Sequence, residues 1–189
     1  SFSSESVELV KMNYRINLKT LDLINDLLNV SRIDQNVLHS QLKRFSLIQL
    51  IEEIIEELDC EAKLKSLEIN FRVNKNHRYF VEMDWHLIRE ALRNVISNAV
   101  KYSYKDKKVL ISLNRKEKFF EIKVSNKGIG IPIHDNKFIF DRFFRAKNAI
   151  KQNMAGSGLG LFIAKSFIDH MDGNITYSSD EDEKTIFVV

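Results

Sequence analysis

Cysteine, proline and glycine are scarce in this chain: one cysteine, one proline and six glycines stand among 189 residues. A lone cysteine excludes an internal disulfide. Cys60 also lies in an acidic, helix-like stretch with no second Cys or His at zinc spacing, so a reducing compartment is the plain reading. No apolar run approaches the about 20 residues that span a bilayer, and the N-terminus lacks the basic and apolar regions of a signal peptide. A strong excess of either charge is missing too. The 29 Lys and Arg against 26 Asp and Glu leave +3, with the basic residues scattered, which argues against nucleic acid as a partner. There is no internal repeat and no low-complexity segment, and a chain that opens on Ser1 rather than Met reads as a piece of a longer protein.

What is present suits one full domain plus an appendage, since 44% apolar and 29% charged residues can build an ordinary soluble core. From Glu5 to about Asp34, at the helical step of about 100° per residue, Leu9, Ile16, Leu23, Leu27 and Val30 share a face that Val10, Leu21, Ile24 and Leu28 widen. Lys11, Arg15, Lys19, Asp22, Asp26 and Asn29 form the opposite polar stripe. So wide an apolar face on one long helix favours a helical bundle or dimer over a helix docked on its own domain. The polar stretch from Gln35 to Arg44 reads as a linker, dividing the chain into 1–35, a linker at 36–45 and a larger domain at 46–189.

Within that domain Ser46 is placed to cap a helix running to about Lys65. Strands are expected at Leu67–Val73, Tyr79–Met83, Val109–Leu113, Phe119–Val124, Ile175–Ser178 and Thr185–Val189, and helices at Asp84–Tyr102 and Gly158–Met171. This mixed order predicts an α+β sandwich with helices on one face of a mixed or antiparallel sheet.

Chemistry gathers in four places. On the helix around Asn94, the residues Glu90, Asn94, Asn98 and Lys101 fall at steps of four, four and three and share one face, with Ile88, Ala91, Leu92, Val95, Ile96 and Ala99 on the core side. An amide carbonyl is a hard oxygen ligand fit for Mg²⁺ and a lysine one turn on is a point charge fit for a phosphate, although a solvated polar face explains the stripe as well. The run Val124-Ser-Asn-Lys-Gly-Ile-Gly-Ile-Pro132 takes a strand into Gly128 and Gly130, where a ligand can approach closely or a hairpin can simply turn; Asn126 could pair with a base edge. In Phe138-Ile-Phe-Asp-Arg-Phe-Phe-Arg-Ala146 four phenylalanines alternate with Arg142 and Arg145, either pinning a segment whose arginines reach anions or forming a core helix with surface arginines.

The fourth place is Met154-Ala-Gly-Ser-Gly-Leu-Gly-Leu-Phe-Ile-Ala-Lys165. It lacks the preceding strand and the spacing of a dinucleotide fingerprint, and no G-x-x-x-x-G-K-[ST] occurs in the chain. What remains is a glycine-rich entry to a helix, whose free N–H groups and positive dipole end favour phosphate oxygens.

The order of these four, asparagine helix, glycine turn, aromatic–arginine segment and glycine entry, resembles the N box, first glycine box, F box and second glycine box of sensor histidine kinases. Here they read N-V-I-S-N-A-V-K-Y, N-K-G-I-G-I, F-D-R-F-F-R and G-S-G-L-G-L. The first helix, through Leu23-Ile-Asn-Asp-Leu-Leu-Asn-Val-Ser-Arg-Ile-Asp34, is similar to the second helix of that family's dimerisation and phosphotransfer bundle. The resemblance implies a Bergerat-type ATP-binding fold, shared with gyrase and a chaperone, in which residues 133–155 form a lid. By position it assigns Mg²⁺ to Asn98 and Asn94, the phosphates and nucleotide edge to Lys101 and Tyr102, and the adenine surroundings to Asn126, Gly128, Gly130 and Ile131. Arg142 and Arg145 would offset charge near the γ-phosphate, and Gly156, Ser157, Gly158, Leu159 and Gly160 would wrap the phosphates. Asn94, Lys101 and Arg142 are the residues it implies for catalysis by positioning and charge stabilisation. It also implies ATP and Mg²⁺ as cofactors, a response regulator receiver domain, the protein's own sensor and bundle helices and a second copy of the chain as partners, and a cytoplasmic place, as the cytosolic portion of a sensor.

Three departures bear on that reading. Asn126 stands where the family usually has an Asp that accepts the adenine amino proton; the amide keeps an acceptor oxygen and adds a donor. None of His39, His77, His86, His134 and His170 has the family's H-E-x-R-T-P context, so the phosphoacceptor helix is expected upstream of Ser1 and the chain alone is not expected to label itself efficiently. The acidic turn in Ser178-Ser-Asp-Glu-Asp-Glu-Lys-Thr-Ile-Phe187 replaces a common glycine and is expected to alter only a hairpin. Asn94 argues against a hydrolytic ATPase, because an amide cannot act as a general base toward water. A non-catalytic nucleotide-sensing or interaction module of the same fold stays open as the alternative to a kinase.

Overall fold

We describe the computed structural model over residues 4–189 apart from 36, 39, 75, 153 and 155, and at 4, 5, 11, 15, 18 and 19 the backbone alone. His39 therefore lies outside the described residues. The chain divides into two compact units, Ser1–Leu38 and His39–Val189.

The first unit is a single helix, α1 (Ser4–Asp34), as its 3.6-residue periodicity requires. Bonds from Gln35 N–H to the Ser31 carbonyl and from Val37 N–H to the Arg32 carbonyl, both 3.1 Å, close its C-terminal end. Leu9, Val10, Ile16, Leu21, Leu23, Ile24, Leu27 and Leu28 on its apolar face are 43–66% exposed. No helix among the described residues is long and apolar enough to cross a membrane.

The second unit runs β1 (Leu42–Ser46), α2 (Leu47–Leu64), β2 (Glu68–Val73), β3 (Phe80–Asp84), α3 (Trp85–Tyr102), β4 (Lys108–Arg115), β5 (Phe120–Lys127), α4 (Lys147–Lys151), α5 (Gly160–His170), β6 (Thr176–Ser179) and β7 (Lys184–Val188). Five strands form one mixed sheet in the order β2-β4-β5-β7-β6, with β2 and β4 parallel and the remaining neighbours antiparallel. Strands β1 and β3 make a separate antiparallel ribbon. One sheet face carries Val109, Ile111, Leu113, Ile122, Val124 and Phe187, all buried, and the alternate positions Lys108, Lys123, Lys127 and Lys184 are exposed. Period-two alternation thus leaves one face for the helices, and α2, α3 and α5 supply Leu50, Ile51, Ile54, Leu92, Val95, Ile96, Ile163 and Phe167 to the core. Each such side chain contributes roughly 1.5–3 kcal/mol by leaving water. The expected α+β sandwich is what forms.

The helix starts follow from their caps. Ser46 Oγ accepts Gln49 N–H at 3.4 Å, the cap expected from sequence. Asp84, read as the first residue of a helix, instead precedes it: its Oδ1 accepts His86 N–H at 2.9 Å and Leu87 N–H at 3.0 Å. Its Oδ2 accepts Gln41 N–H at 2.7 Å, fastening the chain ahead of β1 to the start of α3.

Two expectations need correction. The segment read as linker to residue 45 contains β1, whose residues Leu42–Ser46 pair with β3 from Asp84 back to Phe80. Lys43 and Arg44 interrupt the apolar pattern of the strand, and Arg44 covers the Phe80 ring at 5.6 Å. The helix expected from Gly158 begins at Gly160, because Gly158 has a left-handed φ of +77° that no helix interior accepts.

Burial alone raises Asp84, but the hydrogen bonds from Gln41, Leu87 and His86 outweigh it and hold the carboxyl below its ordinary value. Asp84→Ala is therefore expected to cost ~1–2 kcal/mol in urea denaturation at neutral pH. A depressed folded-state pKa gives a contribution that is present above the unfolded value of about 3.9 and lost as pH falls through the folded value, so wild type and variant converge in acid. A stability gap that does not narrow in acid would assign the effect to packing instead.

Candidate functional site

The buried row of α3 packs as the sequence predicts: Ile88, Ala91, Leu92, Val95, Ile96 and Ala99 all lie in the core. The opposite stripe is not a solvated face, however. Asn94 is only 8% exposed, and Asn98, Lys101 and Tyr102 are half-buried. What covers Asn94 is the start of α5. A β-carbon at Gly160 would stand 2.9 Å from Asn94 Oδ1, and Asn94 Nδ2 is buried with no hydrogen-bond partner. An unsatisfied buried amide in a mostly apolar core is costly and calls for a further ligand.

The same stripe meets the glycine entry again two turns on. A β-carbon on Gly156 would collide with Lys101 Nζ and lie 3.9 Å from Tyr102 Oη, while Lys101 Nζ sits 4.7 Å from the Tyr102 ring centroid. The entry itself is uncapped: α5 follows Leu159 with no side-chain cap, and Ser157 Oγ accepts Leu159 N–H at 3.2 Å. The Lys101 ammonium thus lies at the Gly156 end of the entry and the first-turn N–H groups of α5 begin at its Gly160 end, a favourable setting for an anion.

The glycine turn joins from the other side. Asn126, in β5, is 5% exposed and faces the helices from between Val109 and Thr185 on the neighbouring strands. Ile129 N–H donates to the Tyr102 carbonyl at 3.3 Å, and Ser103 and Gly128 form an isolated bridge. Gly128 has no room for a side chain against the Tyr102 carbonyl, and a β-carbon there would also stand 3.1 Å from Asn126 Nδ2. Gly130 needs its φ of +62° and packs on the backbone of Asp180 and Glu181. Half-buried Ile131 donates its N–H to Ser179 Oγ at 2.9 Å, and Ser179 Oγ lies 2.7 Å from Thr185 Oγ1.

The aromatic–arginine segment is not a core helix. It is a 3-10 turn, Asn136–Phe138, followed by turns and the short α4. Its rings pin it, Phe138 on Phe144 at 5.6 Å and Phe140 on Tyr177 at 5.9 Å between centroids. Arg142 stacks its guanidinium over the Phe162 ring of α5 at 4.5 Å. Arg145 donates to the Met154 carbonyl and keeps its Nε buried without a partner, so it braces the segment to the glycine entry. Residues Phe143 and Phe144 press their backbone on Gly158, whose β-carbon position would be 2.7 Å from the Phe143 carbonyl carbon.

All four clusters are thus joined by direct contacts. Several groups that hold them together carried no signal in the sequence. Asn148 Nδ2 bridges the carbonyls of Ile129 (2.9 Å) and Gly130 (3.1 Å), and Asp135, 4% exposed, accepts Lys147 N–H at 3.0 Å. The acidic turn does more than alter a hairpin: Gly128 N–H donates to the Glu183 carbonyl at 3.2 Å and Asp182 N–H to the Ile129 carbonyl at 3.3 Å. Among the described residues no group of three or more His, Cys, Asp or Glu side chains could hold a metal by itself.

The family model described as "Histidine kinase-, DNA gyrase B-, and HSP90-like ATPase" matches residues 83–189. The chain is 34% identical over 170 residues to the sensor histidine kinase WalK of Bacillus subtilis, covering 88% of this chain and 27% of that protein. It thus spans about a quarter of the length of that curated relative. Among solved structures, the catalytic domain of the histidine kinase ThkA superposes with a TM-score of 0.67 at 26% identity over 79% of this chain and 95% of that one. ThkA in complex with the response regulator protein TrrA gives 0.68 at 22% identity, covering 94% and 51%. Full-length ShkA in complex with AMPPNP gives 0.81 at 22% identity, covering 100% and 39%.

Gly158→Val, which combines a left-handed backbone with a filled contact, is expected to cost about 1–3 kcal/mol and to speed amide exchange across Phe143–Ala146. Unchanged exchange there would show that Gly158 does not anchor the segment.

Proposed function

The chain belongs to the histidine kinase-, DNA gyrase B- and HSP90-like ATPase family, and from that premise we propose that it is the catalytic part of a two-component sensor histidine kinase. In this reading it binds Mg-ATP and transfers the γ-phosphoryl group to a histidine outside these 189 residues, for relay to a response-regulator aspartate. The observation that carries the proposal is the meeting of Asn94 and Lys101 with Gly160 and Gly156, which sets amide oxygen, ammonium and free helix N–H groups around one space.

The residues have separate tasks. Lys101 and the backbone of 156–160 bind the phosphates, Arg142 offsets their charge, and Asn126 with the 128–131 turn receives the adenine, beside Tyr102. Asn94 and Asn98 offer amide oxygens to Mg²⁺, which suits a hard ion that is held by one or two side chains together with phosphates and water. Bound with ATP, Mg²⁺ supplies neutralisation of phosphate charge. In the transfer the bond from the γ-phosphorus to the bridging oxygen breaks, a nitrogen–phosphorus bond to the acceptor histidine forms, and ADP leaves. Asn94, being an amide, takes no proton from water, which favours transfer over hydrolysis. The exposed apolar face of α1 supports its role as one helix of a dimerising phosphotransfer bundle, and the ThkA–TrrA complex supports a response regulator as partner. A cytosolic place, with or without a membrane anchor elsewhere in the protein, accords with this role.

The test is to supply the histidine-bearing helix, as a full bundle or in trans, with labelled Mg-ATP. Acid-labile phosphohistidine should form on the added helix and not on this chain alone, and Asn98→Ala should reduce it by about a hundredfold or more. Mg-ATP binding with no transfer would favour a nucleotide-sensing module. The base end has its own check: with Asn126 accepting the adenine amino proton, ATP should bind at least about tenfold more tightly than GTP. Equal affinities would remove Asn126 from that role.

A further inference from the structure

An α-helix leaves its last four carbonyls without partners inside the helix. In α3 these belong to Ala99, Val100, Lys101 and Tyr102, and all four are satisfied. Ser103 Oγ donates to the Ala99 carbonyl at 2.6 Å, Ile129 N–H to that of Tyr102 at 3.3 Å, and Lys65 Nζ to those of Val100, at 3.2 Å, and Lys101. Lys65 comes from a different helix. It is the C-cap of α2, with its own N–H on the Ala62 carbonyl at 3.0 Å and the next N–H, of Ser66, on the Lys63 carbonyl at 3.0 Å, and its carbonyl accepts Asp106 N–H at 3.2 Å. Backbone bonds on both sides therefore fix the root of a half-buried side chain whose ammonium closes the helix carrying Asn94, Asn98, Lys101 and Tyr102. Burial, with a further push from Lys101, lowers its proton affinity against the pull of Glu61.

We propose that Lys65 is a positioning residue of the nucleotide site, holding the last turn of α3 so that Lys101 and Tyr102 face the glycine entry at Gly156. The proposal rests on the reading of that site as an ATP site. A positive group at a helix C-terminus complements the dipole, and here it also satisfies two carbonyls that, among the described residues, no backbone donor from beyond the helix reaches. Without it the final turn frays, and the Lys101 ammonium loses its fixed place beside Gly156. The two donated bonds leave the Lys65 ammonium directed at α3, so it acts on the nucleotide through Lys101 rather than by touching it.

The test uses the whole 189-residue chain. Lys65→Met keeps the stem and removes the donors; Lys65→Arg restores donors. Lys63→Met, whose exposed ammonium pairs with Asp59, controls for charge, and Ile54→Val, a core change in α2, controls for general loss of stability. In the nucleotide-free chain, Lys65→Met should speed amide exchange at 100–103, and its Mg-ATP Kd should rise about tenfold. Lys65→Arg should recover both, and the two controls should bind as wild type does. Unchanged exchange, an unchanged Kd in Lys65→Met, or an equal loss of affinity in Ile54→Val would overturn the proposal. A wild-type chain without Mg-ATP affinity would instead overturn the reading of the site, and this role with it, while the exchange arm still reports whether Lys65 caps the helix.

Discussion

The carbonyl of Tyr102 and the backbone of Gly128 touch with no space for a β-carbon between them, and the site is arranged around that contact. It fixes where α3 ends relative to the turn that follows β5. On one side of the joint stand Asn126 and the 128–131 turn, on the other Lys101, Asn94 and the start of α5. Were the joint held apart by a side chain, the two halves would no longer share one space. The acidic hairpin reinforces it from outside, since the backbone of Asp182 and Glu183 bonds to Ile129 and Gly128. Of that hairpin's acidic side chains, Asp182 accepts the Tyr104 hydroxyl at 2.6 Å, while the joint itself uses the hairpin's main chain.

Around this joint the three glycines of the entry have different physical reasons to be glycine. Gly156 leaves room for the Lys101 ammonium, Gly160 for the Asn94 amide, and Gly158 alone needs a left-handed backbone as well as contact with Phe143 and Phe144. The first two are gaps that an amide and an ammonium fill from α3. The third is where the aromatic–arginine segment comes down on the entry, and Arg142 on Phe162 and Arg145 on Met154 hold it there. Both arginines are thus held at the glycine entry by an apolar and a backbone contact.

Most of the fold was legible because it is carried by local patterns. Ser46 capping α2, the period-two strands β2, β4, β5 and β7, and the wide apolar stripe of α1 each need only a few neighbouring residues to be read. Strand β1 was not, because Lys43 and Arg44 interrupt its apolar pattern and its pairing depends on β3, almost 40 residues away. The site was legible in its residue types and illegible in its environment. The step from Asn94 to Asn98 to Lys101 shows a shared face, but nothing local shows that Gly160 buries Asn94. Lys65 is less visible still: beside Lys63 it looks like another solvated lysine, and only the tertiary fold turns one onto α3 and leaves the other with Asp59.

That contrast between Lys63 and Lys65 shows how little sequence separates a surface charge from one that the fold depends on. Lys63 lies within α2, where its neighbour at i−4 is Asp59 and its exposed pair contributes little. Two residues on, the helix has ended, Ser66 takes a left-handed φ of +53°, and the chain turns into β2 under Leu67 N–H bonded to Ala62. The turn swings the Lys65 stem across the end of α3 instead of into water. There it meets two carbonyls that would otherwise be left to solvent beside a lysine of the same sign. The fold thus places a second positive charge behind Lys101, and the negative end of α3, together with Glu61, works against the repulsion between the two lysines.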